Sequence, residues 1–497
     1  MNAFRIMLCG ALVALTAALA IPGCGGGGSS NLASGIGGTG KAASSGSITR
    51  FGSIFVNGVE YDIDTASCTV DDSDVTGNCQ ANLSLGMVVT VLGTTTNATG
   101  TASEVVFDAN VEGPVSGLIT QPDGLTRVFS VLGLNAVVDQ AVTLFDDTAA
   151  PGFSFGTLAD GNVVKLSGFL DDTGTLQATY ISKVSNTVTP GTTAVKLKGA
   201  AANVTGAGGP GDSFTLNGIT ISILAGTDLT GLPGGVVSNA DYLAVSGIYT
   251  GASSVDAVRI EPESRELGED GDDVSLEGLV TGFTGNLGNF LVDGRTVDAS
   301  GAVVQPAGLQ LVNGLRVEVE GEISGTTLVA SELQGRGGEV KIDATVTARS
   351  TSTLTVSLGF AQGTLSTGSL TVNVDNQTRI EDSVGNNENP LLSDLNPGDF
   401  VQIRGFQDNG GITATEIHRE TPDEVLLQGP VDSFTAGSSI TILGITFLTD
   451  GGTEFENDSD NSISSATFYG TLSVGDSVKI EDDQPGDGTA DEVDQEN

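Results

Sequence analysis

Short runs of alternating apolar and polar residues occur along most of the chain, and glycine or other turn residues bound them. One run, at 398–405, reads G-D-F-V-Q-I-R-G. Alternation with a period of two is typical of a strand with one buried and one solvated face. We therefore expect Val401 and Ile403 to point into a core, with Gln402 and Arg404 on the solvated face.

This run recurs at a nearly constant interval. Its copies end at positions 93, 168, 247, 321, 405 and 482, which lie 74 to 84 residues apart. An Ala-x-x-aliphatic segment follows each copy, and a two-residue turn precedes most of them, at Asn57-Gly58, Leu132-Gly133, Asn217-Gly218, Asp293-Gly294 and Leu443-Gly444. Asn-Gly and Asp-Gly favour the positive φ angles of a type I′ hairpin turn. The fifth copy lacks a clear turn of this kind. The period predicts six copies of one β module.

The modules are long enough for five or six strands each. Such a module can form a small closed or half-open barrel of the oligonucleotide/oligosaccharide-binding type (OB-like), and a two-sheet sandwich is the alternative. We predict an all-β fold of about six tandem modules of roughly 75 residues, joined by short linkers. The predicted modules are 48–111, 112–186, 194–262, 274–335, 339–420 and 424–497. We expect beads on a short string, or a rod where neighbouring modules pack.

The first residues differ from the rest of the chain. Arg5 precedes an uncharged apolar stretch that is too short to span a bilayer and ends at Ile21-Pro22-Gly23-Cys24. This segment resembles the lipobox of bacterial lipoproteins, which implies removal of residues 1–23 and acylation of Cys24. The alternative is an ordinary secretory signal. Several acyl chains on one cysteine would anchor the protein stably to a membrane.

The segment 24–47 consists almost entirely of Gly, Ser, Ala and Thr. This composition predicts a flexible tether between the lipid and the first module. Gly25, rather than an aspartate, follows the cysteine, so we expect the outer membrane of the cell envelope, on its periplasmic or surface face.

The charge of the chain argues against one class of partner, and its cysteines predict a disulfide. The formal net charge is −43, with 62 acidic residues against 19 Lys and Arg. Such a chain repels phosphate backbones, so we expect no nucleic-acid partner. In an exported protein Cys68 and Cys79 predict a disulfide, with a metal pair as the alternative. Nothing in the sequence calls for a cofactor.

Two kinds of residue are candidates for catalysis or metal binding. His418 is the single histidine, and alternation places it beside Glu416 on a solvent-facing surface. No G-x-S-x-G nucleophile motif occurs. Acidic clusters are the candidates for calcium ligands, although none has the spacing of an EF-hand loop, and solvated acidic loops are the alternative. The candidate ligands are Asp71, Asp72, Asp74, Asp270, Asp272 and Asp273.

The module pattern also resembles a known family. Tandem G-x-x-V-x-V-x-G and A-x-x-I motifs behind a lipobox and a glycine-rich tether resemble a bacterial domain of unknown function, number 5666. The resemblance covers nearly all of 48–497, most clearly the first, second and fifth copies, and it implies no catalytic residues.

These observations favour a membrane-anchored envelope lipoprotein whose non-catalytic modules serve as a spacer or a protein-interaction scaffold. Its expected partners are the membrane and an envelope protein. One alternative is a ligand-binding lipoprotein for calcium or an envelope polymer, and another is a hydrolase that uses paired carboxylates.

Overall fold

The computed structural model describes residues 41–496 with several short gaps. The predicted signal peptide and Cys24 lie outside the described residues. The gaps within the range are 97, 122–123, 141, 252, 264–266, 306–308, 337–339, 361–367, 376, 386, 388–389, 409–410, 458–460 and 484–485.

Each module consists of five to seven short strands in the described part of the chain. Module 1 has β1 (Lys41–Phe51), β2 (Ile54–Val56), β3 (Val59–Asp62), β4 (Ser67–Val70), β5 (Ser73–Asp74), β6 (Val88–Thr96) and β7 (Thr99–Phe107). Module 2 has β8 (Val111–Thr120), β9 (Thr126–Val131), β10 (Leu134–Asp139), β11 (Leu144–Asp146), β12 (Val163–Leu170) and β13 (Leu176–Ser185). Module 3 has β14 (Ala194–Ala200), β15 (Ser213–Leu216), β16 (Ile219–Asp228), β17 (Tyr242–Gly251) and β18 (Ser254–Pro262).

The second half of the chain repeats this plan. Module 4 has β19 (Asp273–Thr281), β20 (Phe290–Val292), β21 (Arg295–Asp298), β22 (Val303–Gln305), β23 (Arg316–Ser324) and β24 (Thr327–Gly335). Module 5 has β25 (Val340–Arg349), β26 (Thr353–Ser357), β27 (Ser369–Asn373), β28 (Arg379–Asp382), β29 (Phe400–Asp408) and β30 (Gly411–Glu420). Module 6 has β31 (Val425–Thr435), β32 (Ser439–Ile442), β33 (Ile445–Leu448), β34 (Glu454–Glu456), β35 (Ser477–Asp482) and β36 (Glu492–Glu496).

Helical segments are few and short in the part of the chain that the structure describes. One α-helix, α1 (Ser465–Thr471), lies in module 6. Single 3₁₀ turns lie at Gln80–Asn82, Phe155–Thr157, Pro233–Gly235 and Leu392–Asp394. Among these described helices, none is long and apolar enough to cross a membrane.

The strands of each module close into a small barrel. In module 1, β1 pairs with β2, β2 with β3, β3 with β7 in parallel, β7 with β6, and β6 with β1. The equivalent rings in modules 2, 4 and 5 close in the same order. In modules 3 and 6, isolated bridges at Ala202–Thr215 and Leu448–Thr489 complete the circuit. The module is therefore an OB-like five-stranded barrel, as one of the two predicted alternatives proposed.

The repeated hairpin turn has the predicted geometry. Asn57 and Gly58 have φ angles of 50° and 72°, which are the positive values of a type I′ turn. The same positions in modules 2, 3, 4 and 6 also have positive φ, including Leu132 and Leu443. In module 5 a longer segment joins β26 to β27, in agreement with the missing turn signal.

The glycine at the end of the repeated run marks a β-bulge. Gly168 lies opposite Ala178, and the strand register shifts beside it. A Cβ atom on Gly168 would lie 2.1 Å from the carbonyl oxygen of Gln177, so no other residue fits without movement of the backbone. Gly93, Gly321 and Gly405 face the motif alanine of their own module in the same way. The Gly and Ala of the sequence repeat are thus a cross-strand pair.

The barrels join through their first strands. β1 pairs with β19 in parallel, while β8 pairs with β14 and β25 pairs with β31 in antiparallel fashion. The described strands consequently form three sheets, which combine modules 1 with 4, 2 with 3, and 5 with 6. All described residues belong to one compact unit. The expectation of beads on a string or a rod of sequential neighbours is therefore wrong.

Module 1 begins earlier than predicted, because its first strand pairs with β19. β1 begins at Lys41, so residues 41–47, predicted as part of the tether, are strand. Ala42, Ala43 and Ser44 are buried, and β1 runs between β6 and β19 at this point. Their small side chains resemble a flexible linker in the sequence, yet their backbone pairs with a strand on each side.

Candidate functional site

The outward faces of several strands are buried although their residues are polar. In β29, Val401 and Ile403 lie in the barrel core as predicted. Gln402 and Arg404 point the other way, yet they are only 4% and 5% exposed. The expectation that this face meets solvent is wrong, because Asp343 on the neighbouring strand and groups of other strands cover it.

The densest group of such residues lies where modules 1, 4 and 5 meet. We call Ser47, Glu277, Arg316, Arg379, Glu381 and Glu416 the central ion cluster. The Arg316 guanidinium donates to Glu277 at 2.9 Å, to Glu416 at 2.9 Å and to the Ser47 hydroxyl at 3.0 Å. It also lies 5.4 Å from the ring centre of Phe169 in module 2. One side chain of module 4 thus connects three other modules.

Arg379 extends the cluster within module 5 and towards module 2. It pairs with Glu381, lies 3.3 Å from Glu416, and donates to the backbone carbonyl of Val142. Burial raises the pKa of Glu381 to about 7, against the opposing effect of Arg379. Burial also opposes ionisation of Glu277, but Arg316 and Arg336 hold its pKa below the usual value.

Lysines of modules 2 and 3 form ion pairs with module 1. Lys165 of module 2 pairs with Asp71. Lys196 of module 3 lies 3.0 Å from Asp72 and also pairs with Asp108. Asp71 and Asp72, two of the candidate calcium ligands, therefore lie at contacts between modules.

The other four candidate calcium ligands are engaged within turns or strands. Asp74 is exposed and accepts the Thr76 amide at 2.9 Å. Asp270 accepts the Gly325 amide at 2.7 Å, and Asp272 accepts the Glu269 amide at 2.8 Å. Asp273 begins β19 and pairs with Ala42 of β1.

A different acidic group lies close together in module 6. Among the described residues, the carboxylates of Glu456, Glu492 and Asp494 lie within 4.8 Å of one another. The Lys479 ammonium lies 2.6 Å from Asp494 and supplies positive charge there. Burial and the nearby Asp494 raise the pKa of Glu492 to about 7. Sequence reasoning missed this group because Glu456 and Asp494 become neighbours only through the pairing of β34 with β36.

A cleft of about 1590 Å³ opens between modules 1, 2 and 5. On one side it is lined by residues 77–85, next to the Cys68–Cys79 disulfide that the structure contains, as predicted. On the second side it is lined by Phe145, Phe153 and Phe155, and on the third by residues of β28 and β30. We call it the three-module cleft.

His418 lies in the wall of this cleft. It is only 4% exposed, so its predicted position on a solvated surface is wrong. Its Nε2 lies 2.6 Å from the Ser383 hydroxyl and 3.4 Å from Glu420. Burial lowers its pKa below the usual value, although Glu420 acts in the opposite direction. The imidazole is therefore neutral near pH 7.

The arrangement around His418 differs from a catalytic triad. In a triad the serine and the carboxylate address opposite ring nitrogens. Here Ser383 and Glu420 both lie beside Nε2. Nδ1 is buried and has no hydrogen-bond partner among the residues that the structure describes. Among the described residues, Nδ1 therefore lacks the carboxylate partner that it has in a triad.

Comparisons with known proteins identify the modules. The sequence profile described as "Domain of unknown function (DUF5666)" matches residues 112–182, 202–261, 277–334, 343–418 and 428–494. These matches fall in modules 2 to 6. Module 1, in which we expected one of the clearest resemblances, lies outside them, although its strand order is the same.

The chain is also weakly similar to a solved structure. The structure of Drosophila Unr CSD456 shows 13% sequence identity and a TM-score of 0.17, and the similarity covers 44% of this chain and 96% of that one. No curated protein matches the chain significantly. The five profile matches cover more than half of the sequence, and the chain therefore belongs to the DUF5666 family.

Proposed function

We propose that this protein is a lipid-anchored scaffold of the bacterial cell envelope, in which six β barrels act as one non-catalytic body. The observation that carries the proposal is the burial of the outward polar faces. Arg316 and Arg379 hold barrels together, and their positions are not repeated from module to module. Repeated catalytic sites would require repeated polar side chains.

Three features of the chain support a location outside the cytoplasm. The lipobox-like segment before Cys24 favours acylation, and a disulfide such as Cys68–Cys79 is typical of an oxidising compartment. The excess of acidic over basic residues keeps a large exported body soluble.

Fractionation of cells that produce the whole chain tests the anchor. We expect Cys24→Ser to move the protein from the membrane fraction to the soluble envelope fraction. Cys9→Ser, inside the predicted signal peptide, is the matched control and should leave the protein in the membrane fraction. A Cys24→Ser protein that stays in the membrane fraction would refute lipid anchoring.

Cross-linking in intact envelopes tests the scaffold role. Whole cells are treated with a short amine- or acid-reactive cross-linker, and partners are identified by mass spectrometry against a strain that lacks the protein. A scaffold should give the same envelope protein in repeated experiments. Recovery of the protein alone at every cross-linker concentration would contradict the proposal.

A further inference from the structure

The three-module cleft carries a strong excess of acidic groups. Its lining contains two basic side chains, Lys165 and His418, and Lys165 is already paired with Asp71 outside the lining. The acidic side chains of the lining are Asp64, Asp146, Asp147, Glu381, Asp382 and Glu420. Glu381 and Asp382 are paired with Arg379 and Arg419 outside the lining, and the other four have no basic partner with a full charge among the described ion pairs. A concave surface of one sign concentrates its field, so this cleft attracts cations.

The cleft also has an aromatic wall. Phe145 is half-buried, and its ring centre lies 5.6 Å from that of Phe153 and 6.0 Å from that of Phe155. The Lys183 ammonium lies 5.1 Å from the centre of Phe153, and the Arg127 guanidinium carbon lies 4.4 Å from that of Phe155. Rings of this wall thus already bind cationic side chains of the protein itself.

His418 supplies an independent polar feature in the same wall. The residue is more than nine-tenths buried, and its Nδ1 has no hydrogen-bond partner in the described part of the chain. This nitrogen is itself shielded from solvent, so it does not face a ligand in the cleft. His418 is therefore a neutral part of the wall and adds no positive charge to the cleft.

The volume of the cleft indicates which kind of cationic ligand would fill it. Pockets for small molecules have volumes of about 300–1,000 Å³. The cleft, at about 1590 Å³, exceeds that range. A metal ion or a small amine would contact only a fraction of its walls, whereas a peptide segment with basic and apolar side chains can contact both the carboxylates and the phenylalanines.

We propose that the three-module cleft binds a lysine- or arginine-bearing peptide segment of a partner protein. The basic side chains lie against the cleft carboxylates, and an apolar side chain packs on Phe145. This inference names a partner class for the proposed scaffold and so rests on that function.

The test measures peptide binding to the purified full-length chain in mild detergent. The probe is a fluorescent, end-blocked peptide of alternating lysine and leucine, followed by anisotropy. Asp64→Asn combined with Asp147→Asn removes two exposed carboxylates from the cleft lining. We expect the double variant to bind the peptide about tenfold more weakly, because each exposed carboxylate adds a modest attraction to a cation at close range.

The matched control removes two exposed carboxylates that do not line the cleft. Asp172→Asn combined with Asp450→Asn changes the net charge equally, and Asp450, like Asp147, accepts a backbone amide within its own loop. We expect less than a twofold change in affinity. Thermal melting confirms that both double variants are folded.

A second probe tests whether binding depends on the charge of the peptide or only on its apolar side chains. The same peptide with glutamine in place of lysine should show no saturable binding. Equal weakening in both double variants, or no saturable binding of the lysine peptide to the unmodified protein, would overturn the inference. Because this assay needs no membrane, its failure leaves the result for Cys24→Ser unaffected and is distinguishable from failure of the scaffold proposal.

Discussion

The two faces of strand β29 illustrate two regions of the molecule, the barrel interiors and the surfaces between barrels. On the inner face, Val401 and Ile403 belong to an apolar core of the kind found in every module. On the outer face, Gln402 and Arg404 are buried and donate to Asp343 of the same module, and Arg404 also interacts electrostatically with Asp139 of module 2. The inner face is repeated in every copy, while the outer face differs from copy to copy.

This difference separates the residues that determine the fold from those that determine assembly. The repeated glycines, turns and aliphatic residues give each module the same barrel. The chain has only 19 Lys and Arg, and many of them lie where barrels meet, among them Lys165, Lys196, Arg316 and Arg379. In a strongly acidic protein, scarce cations at these positions reduce repulsion between barrels and fix which barrels pair.

Removal of a buried cation should have the largest effect. Arg316→Met leaves Glu277 and Glu416 buried without their main partner. Breaking a buried ion pair on one side costs about 3–5 kcal/mol. We expect a loss of about 4 kcal/mol in the free energy of unfolding, measured by urea denaturation followed by circular dichroism.

Arg259→Met is the control for this substitution. Arg259 also pairs with a glutamate, Glu261 at 2.6 Å, but its side chain is 46% exposed. Exposed pairs contribute about 0–1 kcal/mol. If both variants lose the same stability, the surfaces between barrels do not contribute as described here.

The pH dependence of stability should reveal the crowded carboxylates of module 4. Burial, followed by the nearby Glu318 and Glu332, raises the pKa of Glu320 to about 8. In the unfolded chain a glutamate has a pKa near about 4.3. The folded state therefore holds the proton more tightly, and this contribution to stability is present in acid and is lost as the pH rises through about 8.

Glu320→Gln should remove the part of the stability that is lost as the pH rises, because glutamine does not titrate. Between pH 5 and pH 9 we expect the variant to lose about 3 kcal/mol less stability than the unmodified protein. Glu322→Gln, an exposed position on the same strand, should leave the pH profile unchanged. The measurement is urea denaturation at pH 5, 7 and 9, and parallel profiles for all three proteins would argue against a buried, protonated Glu320.

A change inside one barrel should have a smaller effect. Gly218 has a φ of 79° in its type I′ turn, where a Cβ atom costs about 1–2 kcal/mol. We expect Gly218→Ala to destabilise the protein by about 1 kcal/mol. Gly226→Ala, with open space around its Cβ position in the same module, should change the melting temperature little. A larger effect at Gly226 would mean that the turn does not set the hairpin.

The barrels could be predicted from the sequence because their signals are local. A turn pair such as Asn57-Gly58 and a run such as 398–405 each define a strand or hairpin without reference to distant residues. Even the weaker third copy follows the rule, since Ala240 takes the positive φ of 71° that a glycine has in the other modules.

The site could not be predicted, because alternation does not reveal what covers the polar face of a strand. Glu416 and His418 alternate with Ile417 as surface residues do, yet both are buried. Arg316 lies 100 positions before its partner Glu416, in a different module, and no other copy repeats the pair. Only the pairing of first strands from distant modules brings such residues together.

The pairing of β1 with β19 is the most direct test of this assembly, since modules 1 and 4 are separated by two others in the sequence. Ala42 and Asp273 are paired residues on adjacent strands, which lie about 4.8 Å apart, within the Cα–Cα range of disulfides. The variant with Ala42→Cys and Asp273→Cys should form a cross-link within one chain, detected by mass spectrometry of a non-reduced digest. Ala42→Cys with Thr281→Cys, eight positions further along β19, should not. Absence of the first cross-link, or equal yields for both pairs, would contradict the assembly of barrels through their first strands.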